Sequence, residues 1–573
     1  FDHLLLIRNM MANPNILVIL TDDQGWGDLS IHGNTNLDTP NVDSIAQDGV
    51  LFNRFYVCPV CAPTRAEFLT GRYHLRGGVY GVTEGAERLC LSEKTIADTF
   101  KAAGYATGAF GKWHNGTQHP YHPNARGFDE FFGFCSGHWG HYFDAEVEHN
   151  GRFTQGQGYL ADEITDRAMD FMATNVSSEQ PFFCYLPFNI PHTPFQVPNR
   201  FYEKFRDLPI DMRATNPEHE DVERTRSALA LCENIDWNAG RLLDKLDQLG
   251  IAEDTIVFYF GDNGPNGARW NGGMKGTKGS TDEGGVRVPG LMRWSKHIQP
   301  GMVIEEIAGG IDLLPTLADM ACVEVVSEKP LDGRSLKPLL INETTDWPDR
   351  MIFTHQRNAI SVRNQQFRLD TKGKLYDMST DPGQIRDVSD DFPEVQAMLV
   401  KAVDEWCTEV FPIQDDLPFS VGYWKSTPLP ARDGVPHGGI QRSARAPNCS
   451  YFTNWTEVND SMTWDIIVGT GGNYEAIVYY TCPAEDVGAT VELSFNGQTV
   501  QGQVNELHDP PLVGEVDDRF PRGSESFVKD FKQLMLGVLH MVSGRGTLTL
   551  RALDVPGSQV MDVRRVMLIK EEK

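Results

Sequence analysis

Asn15-Ile16-Leu17-Val18-Ile19-Leu20-Thr21-Asp22-Asp23 is an unbroken apolar run that ends in two carboxylates. With no polar alternation, such a run suits a strand buried on both faces of a parallel sheet. Its polar end then falls at the sheet's carboxyl edge, where open α/β sheets bind ligands. The pattern recurs. Ala106–Phe110 runs into Gly111-Lys112-Trp113-His114, Phe182–Phe188 into Asn189-Ile190-Pro191-His192, and Thr255–Phe260 into Gly261-Asp262-Asn263-Gly264. Four apolar strands thus each deliver charged or imidazole groups at their carboxyl ends. The segment from Leu91 through Phe100 reads as a helix. So does Val222 to Leu249, which gathers Ala228, Leu231, Ile235, Leu242, Leu246 and Leu249 on one side. The fold class is α/β, a mixed sheet sandwiched by helices.

From about residue 350 the texture changes. Short strands near Ile352–Thr354, Ala359–Val362 and Leu375–Asp377, followed by a helix through Val395–Trp406, predict a small α+β subdomain. Residues 412–447, rich in Pro, Gly and charge, read as a linker or an ordered wrap. Alternating strands follow at Tyr474–Tyr480, Thr490–Phe495 with an Asn496-Gly497 turn, and Gly546–Arg551. Period-two patterning with an Asn-Gly hairpin predicts a β-sandwich. The expected divisions are 13–345, 346–411, 412–447 and 448–573.

At 573 residues the chain is too long for one ordinary core. Its 51 Lys+Arg against 79 Asp+Glu give a net charge of −28, which argues against nucleic acid or an anionic membrane as partner. No window approaches the roughly eighteen apolar residues of a transmembrane helix. The N-terminal residues 1–12 lack a basic start and a small-residue cleavage site. The ten cysteines show no zinc spacing, and most are expected to be buried free thiols.

The tract Pro59-Val60-Cys61-Ala62-Pro63-Thr64-Arg65, followed by Ala66-Glu67-Phe68-Leu69-Thr70-Gly71, sets a thiol two residues before Pro and four before Arg. Asp22-Asp23 and Asp262-Asn263 offer only oxygen ligands, which suits a hard cation, calcium or magnesium, better than zinc. Gly104–His114 carries Lys112 and His114 at a strand end, and the Gly-rich block Gly276–Pro289 carries Lys278.

Together these blocks resemble the formylglycine-dependent type I sulfatases of the alkaline phosphatase superfamily, bacterial carbohydrate sulfatases among them. The resemblance spans roughly residues 13–410. It implies an alkaline-phosphatase-like sheet and hydrolysis of a sulfate ester. Cys61 would be oxidised to Cα-formylglycine by a formylglycine-generating or other sulfatase-maturating enzyme. Hydrated, that aldehyde is a geminal diol with an exit that an ordinary ester-forming nucleophile lacks. One calcium ion would sit on Asp22, Asp23, Asp262, Asn263 and residue 61. Arg65 would hold the diol, Lys112 would neutralise a sulfate oxygen, His114 would act as base, and His192 would protonate the leaving alcohol. The spacing of the third block selects Lys278 over the nearby Lys275.

Trp139, His141, Asp144, Trp270 and Asn271 are candidate sugar-facing residues, since aromatic rings offer flat apolar faces to sugars. The expected substrate is a sulfated carbohydrate attacked near a chain end, and the expected location is periplasmic or secreted, with the leader missing. Two rivals are a phosphoester hydrolase of the same superfamily and an inactive glycan-binding homologue. Two-zinc phosphatases need a strand-end Asp-His where this chain has Asp262-Asn263, and an intact set of groups argues against decay. No motif in 430–573 ties that segment to chemistry.

Overall fold

The computed structural model describes residues 13–343, 347–411 and 417–571. The reading of residues 1–12 and the boundary at 345/346 lie outside the described residues. Among them, a ten-stranded mixed sheet forms the core of the N-terminal part. Its centre is the parallel set Thr255–Gly261, Asn15–Thr21, Phe182–Pro187 and Ala106–Lys112, side by side in that order. Alternate residues of the first strand enter two different cores. Leu17 and Ile19 join a cluster with Ile164, Ala228, Leu231 and Leu242, while Ile16, Val18 and Leu20 join one with Ala66, Leu69, Phe100 and Leu314. Helices therefore cover both faces, which is why the strand carries no polar alternation. The helix expected from Leu91 instead runs Ile96–Ala102, with Thr95 as its N-cap accepting from the Asp98 N–H. Leu91 and Ser92 lie in a turn, and packing of the buried Ile96, Ala97 and Phe100 starts the helix at Thr95 instead.

A four-stranded antiparallel sheet, Ile352–Gln356 to Leu375–Asp377, packs with the helix Pro393–Val410. Two six-stranded sheets then form a sandwich around Trp464, Tyr474, Leu493, Leu550 and Val566. The Asn496-Gly497 turn joins Thr490–Phe495 to Gln498–Gln503, with φ of 46° and 82° at its two central residues. The sandwich begins earlier than the sequence reading placed it. Phe419–Val421, Ser426–Pro430 and Val435–His437 are paired strands of its sheets. The described part of 412–447 is thus integral to the sandwich. Pro428, Pro430 and Pro436 lie within its short strands, which gave it the composition of a linker.

The sandwich is fastened to the N-terminal part by buried and half-buried polar contacts. Arg565 makes a bidentate pair with Glu146 at 2.7 Å to each oxygen. Arg432 donates to Ser136 at 2.8 Å, and Gln118 donates to Asp433 at 3.0 Å. Among the described residues no helix is long and apolar enough to cross a membrane.

Candidate active site

The carboxyl ends of the four central strands meet at one place, because parallel neighbours in register end at the same edge. Asp22 and Asp23 follow Asn15–Thr21, Asp262 and Asn263 follow Thr255–Gly261, Lys112 closes Ala106–Lys112, and His192 lies beyond Phe182–Pro187. The helix Cys61–Thr70, buried along its whole length, points its N-terminus into this cluster with no side-chain cap on its first turn. The positive end of that helix favours negative charge at residue 61. Asp22, Asp23 and Cys61 each offer a ligand atom within 4.8 Å of the others.

Cations interleave with the acids. Lys112 Nζ lies 2.5 Å from Asp22 Oδ2, Lys278 Nζ 2.5 Å from Asp23 Oδ1, and Arg65 Nη2 2.8 Å from Asp262 Oδ2. Arg65 Nη1 also donates to the Lys112 carbonyl at 2.6 Å. Lys275 turns away and faces Asp282 at 3.8 Å. The Gly-rich loop makes this choice possible, since a side chain at Gly285 would lie 2.1 Å from the Ser280 carbonyl.

Two imidazoles have assignable tautomers. His192 Nδ1 lies 2.6 Å from the Thr193 carbonyl and must donate to it, which leaves Nε2 facing Asp23 Oδ2 at 3.8 Å. His114 Nε2 likewise donates to the Val82 carbonyl at 2.8 Å, so its Nδ1, buried and unpartnered, is the basic atom. Asp23 and His114 both have left-handed backbone, φ 69° and 64°. Such strain in non-glycine residues concentrates at functional sites.

Burial pushes the Cys61 thiol up to about 11, against the pull of Lys112 and Lys278. Burial and the neighbouring Asp22 raise the Asp262 carboxyl, against Arg65. Burial opposes the Asp23 carboxylate too, but Lys278 and His192 hold its pKa below the usual range. Both imidazoles are depressed by burial, with Lys278 adding to the effect at His192 and Lys112 at His114.

Three oxygens of this cluster, Asp22 Oδ1, Asp23 Oδ2 and Asn263 Oδ1, are buried with no hydrogen-bond partner. Leaving buried acceptors unpaired costs about 1–3 kcal/mol each. Three such oxygens on two carboxylates and an amide form a donor set for a hard cation.

The candidate sugar-facing residues fare unevenly. Trp139, His141 and Asp144 line a cavity of about 340 Å³ whose other walls include Lys529, Arg564 and Arg565 of the sandwich. Asn271 is committed to backbone: its Oδ1 accepts from the Gly27 N–H at 2.7 Å and its Nδ2 donates to the Gly284 carbonyl at 3.2 Å. It braces two loops. Trp270 sits against Trp26, ring centroids 6.2 Å apart, and its backbone abuts Gly27. His138, Asn448 and Glu525 are brought to the site without having been singled out in the sequence. A Cβ at Gly137 would lie 2.5 Å from Asn448 Nδ2 and 2.6 Å from His114 Nε2. Cys449 Sγ contacts the His138 carbonyl at 3.1 Å.

A family model described as Sulfatase matches residues 14–323, more than half of the chain. The chain belongs to the sulfatase family. A second model, the C-terminal region of N-sulphoglucosamine sulphohydrolase, matches residues 278–408. N-acetylgalactosamine-6-sulfatase of Mus musculus is 32% identical over 391 residues, covering 62% of this chain and 71% of that protein. Arylsulfatase A of Bos taurus is 32% identical over 459 residues, covering 68% of this chain and 86% of that one. Among solved structures, Ps i-CgsB in complex with k-i-k-neocarrahexaose superposes with a TM-score of 0.65 at 28% identity, over 70% of this chain and 94% of that one. This sulfatase is a sulfuric ester hydrolase built on the mixed α/β core of its family, with the sandwich as an addition beyond the matched residues.

Proposed function

We propose that this sulfatase removes sulfate from a sulfated carbohydrate, using a Cα-formylglycine at position 61 and one calcium ion. The observation that carries the reading is the three buried, unpartnered oxygens of Asp22, Asp23 and Asn263, with Asp22 and Asp23 beside Cys61 and paired with Lys112 and Lys278. A cation fits there and satisfies all three. Asp22, Asp23, Asp262 and Asn263 would hold it, and it would draw in a sulfate oxygen and neutralise charge. The unmodified thiol is a poor nucleophile here, since burial keeps it protonated at neutral pH. Converted to formylglycine and hydrated, residue 61 would supply one hydroxyl to attack sulfur and a second to expel sulfate.

The surrounding side chains take complementary tasks. Lys112 and Lys278 neutralise the ester's non-bridging oxygens. Arg65, fixed by Asp262 and the Lys112 carbonyl, holds the anionic form of residue 61. His114 takes a proton at Nδ1. His192, with Nδ1 committed to Thr193, carries its proton on Nε2 to the leaving alcohol oxygen. The carbohydrate part rests on relatives, one named N-acetylgalactosamine-6-sulfatase and one solved in complex with k-i-k-neocarrahexaose. The cavity at Trp139, His141 and Asp144 is consistent with a sugar-binding wall.

The test is the mass of the peptide containing Cys61 after expression with a maturating enzyme. Conversion lowers that mass, whereas ordinary thiol oxidation raises it. An unchanged mass in fully active protein would sink the formylglycine part. A panel of sulfated mono-, oligo- and polysaccharides tests the carbohydrate part, which fails if only aryl sulfates are hydrolysed.

A further inference from the structure

The long connection between the strands Gln498–Gln503 and Lys532–Met541 leaves the sandwich and lies across two loops of the catalytic domain. It is fastened along its length. Gln196 Nε2 donates to the Gly514 carbonyl at 2.9 Å and to Asp518 at 2.8 Å. The Arg519 N–H donates to the Phe195 carbonyl at 2.9 Å, Arg522 Nη1 to the Gly140 carbonyl at 2.5 Å, and His141 Nε2 meets Asp517 at 3.2 Å. A bridge between Val513 and Val528 closes the neck of this excursion. The two loops it grips are those that carry His138 and His192.

Near its neck Glu525 stands against both imidazoles. Its Oε1 lies 3.9 Å from His192 Nδ1 and 3.8 Å from His138 Nδ1, and those two rings are near-parallel with centroids 5.8 Å apart. Thr193 hydrogen-bonds the carboxylate, while Oε2 is buried without a partner. Burying a carboxylate is costly unless it answers nearby positive charge or donors. Its backbone bridges Ala446 of the sandwich, while its carboxylate faces the two imidazoles. Burial raises the Glu525 carboxyl, and His192 and Lys278 act against that rise, while Asp23 adds to it.

Resting on the proposed role of His192 as proton donor, we infer that Glu525 is a positioning residue for this sulfatase's catalytic imidazole. It backs the Nδ1 edge of His192, while the Nε2 edge faces the reacting centre. The C-terminal sandwich is therefore part of the catalytic apparatus, although the matched family regions stop at residue 408. The Thr193 carbonyl takes the Nδ1 proton, and the Glu525 carboxylate, 3.9 Å away and beyond hydrogen-bond range, sets its charge against that edge so that Nε2 points at the leaving oxygen. A misaimed donor matters only when the leaving group needs the proton.

The experiment assays Glu525→Gln in the full chain against aryl sulfates of rising leaving-group pKa and against an alkyl or sugar sulfate. The same series is run on His192→Ala and on the double variant. Glutamine keeps size and polarity, so the fold survives, and a melting curve checks it. The expected result is a loss about tenfold larger on the poorest leaving group than on the best, carried by kcat, a fraction of the 10²–10⁴ that a general acid supplies. In the His192→Ala background the selective loss should vanish, because residues acting as a unit are non-additive. Uniform loss across the series, or the same selective loss in both backgrounds, overturns the role of Glu525. If His192→Ala steepens the leaving-group dependence and Glu525→Gln does not, Glu525 alone fails. If His192→Ala shows no such dependence, the proton-donor reading fails and takes Glu525 with it.

Discussion

Cys61 occupies the first position of a fully buried helix, and two lysines reach into its neighbourhood. Replacing it by alanine should cut kcat/KM by about four orders of magnitude or more, the usual consequence of removing a covalent catalyst. The melting temperature should stay within a few degrees, since one small side chain is trimmed. Near-normal turnover of an aryl sulfate by that variant would refute the assignment. Two turns down the same helix, Glu67 shares a buried cluster with Cys58 and His74. Burial pushes its carboxyl from 4.5 up to about 8. The folded state thus keeps this proton longer than the unfolded one. Glu67's contribution to stability is full below about 4.5 and is lost as pH rises through about 8. Glu67→Gln removes that loss. Melting temperatures of the two chains should therefore diverge in favour of the variant between about pH 5 and about pH 9. A pH-independent difference would contradict this.

At the scale of elements, the site is assembled by loops that only small residues can occupy. The turn at Gly137 passes between His114 of one catalytic loop and Asn448 of the sandwich. Gly137→Ala forces one of them to move, and His114 Nε2 is tied to Val82. The expected outcome is a loss of about ten- to a hundredfold in kcat/KM, as misplacement of a catalytic group by about 1 Å costs. Overpacking should add about 1–3 kcal/mol of destabilisation. Steady-state kinetics with a melting curve will check both, and unaltered kinetics would mean that His114 is not held by this contact. The strands themselves were legible in the sequence because each is buried on both faces and so reads as an unbroken apolar run. The cap at Thr95 was harder to see, since Leu91-Ser92-Glu93 also carries a helix-start pattern and only packing selects between them.

Across the whole molecule, the proposed cation would tie together the ends of two central strands and the buried helix. Chelation should abolish activity and lower the melting temperature. At a free calcium concentration a hundredfold above Kd the linkage is about 2.7 kcal/mol. Calcium should restore both properties and zinc should not. Calorimetry with and without chelator checks this; an unchanged melting temperature would remove the metal from the stability argument. The acidic surface implied by a net charge of −28 gives way at the site to buried Arg65 and Lys112 and half-buried Lys278, each paired with a carboxylate and within reach of an anionic ester.

The sequence by itself determined the α/β core, the strand-end positions of Asp22, Asp23, Lys112, His192, Asp262 and Asn263, and the thiol tract at Cys61. These are readable because parallel strands in register put their carboxyl ends at one edge, so local patterns already imply a shared place. The sandwich's existence was equally local, written in period-two strands and an Asn-Gly turn. Its true start near Phe419 was hidden, since strands that cross between sheets look like linker until their partners, more than a hundred residues away at Met567 and Leu568, are known. The tertiary structure alone decided the rest. It set Asn271 to bracing backbone, brought Lys278 against Asp23, and carried Glu525 back across the chain to His192. A lone glutamate in a long loop has no signature, because its environment is made entirely of residues distant in sequence.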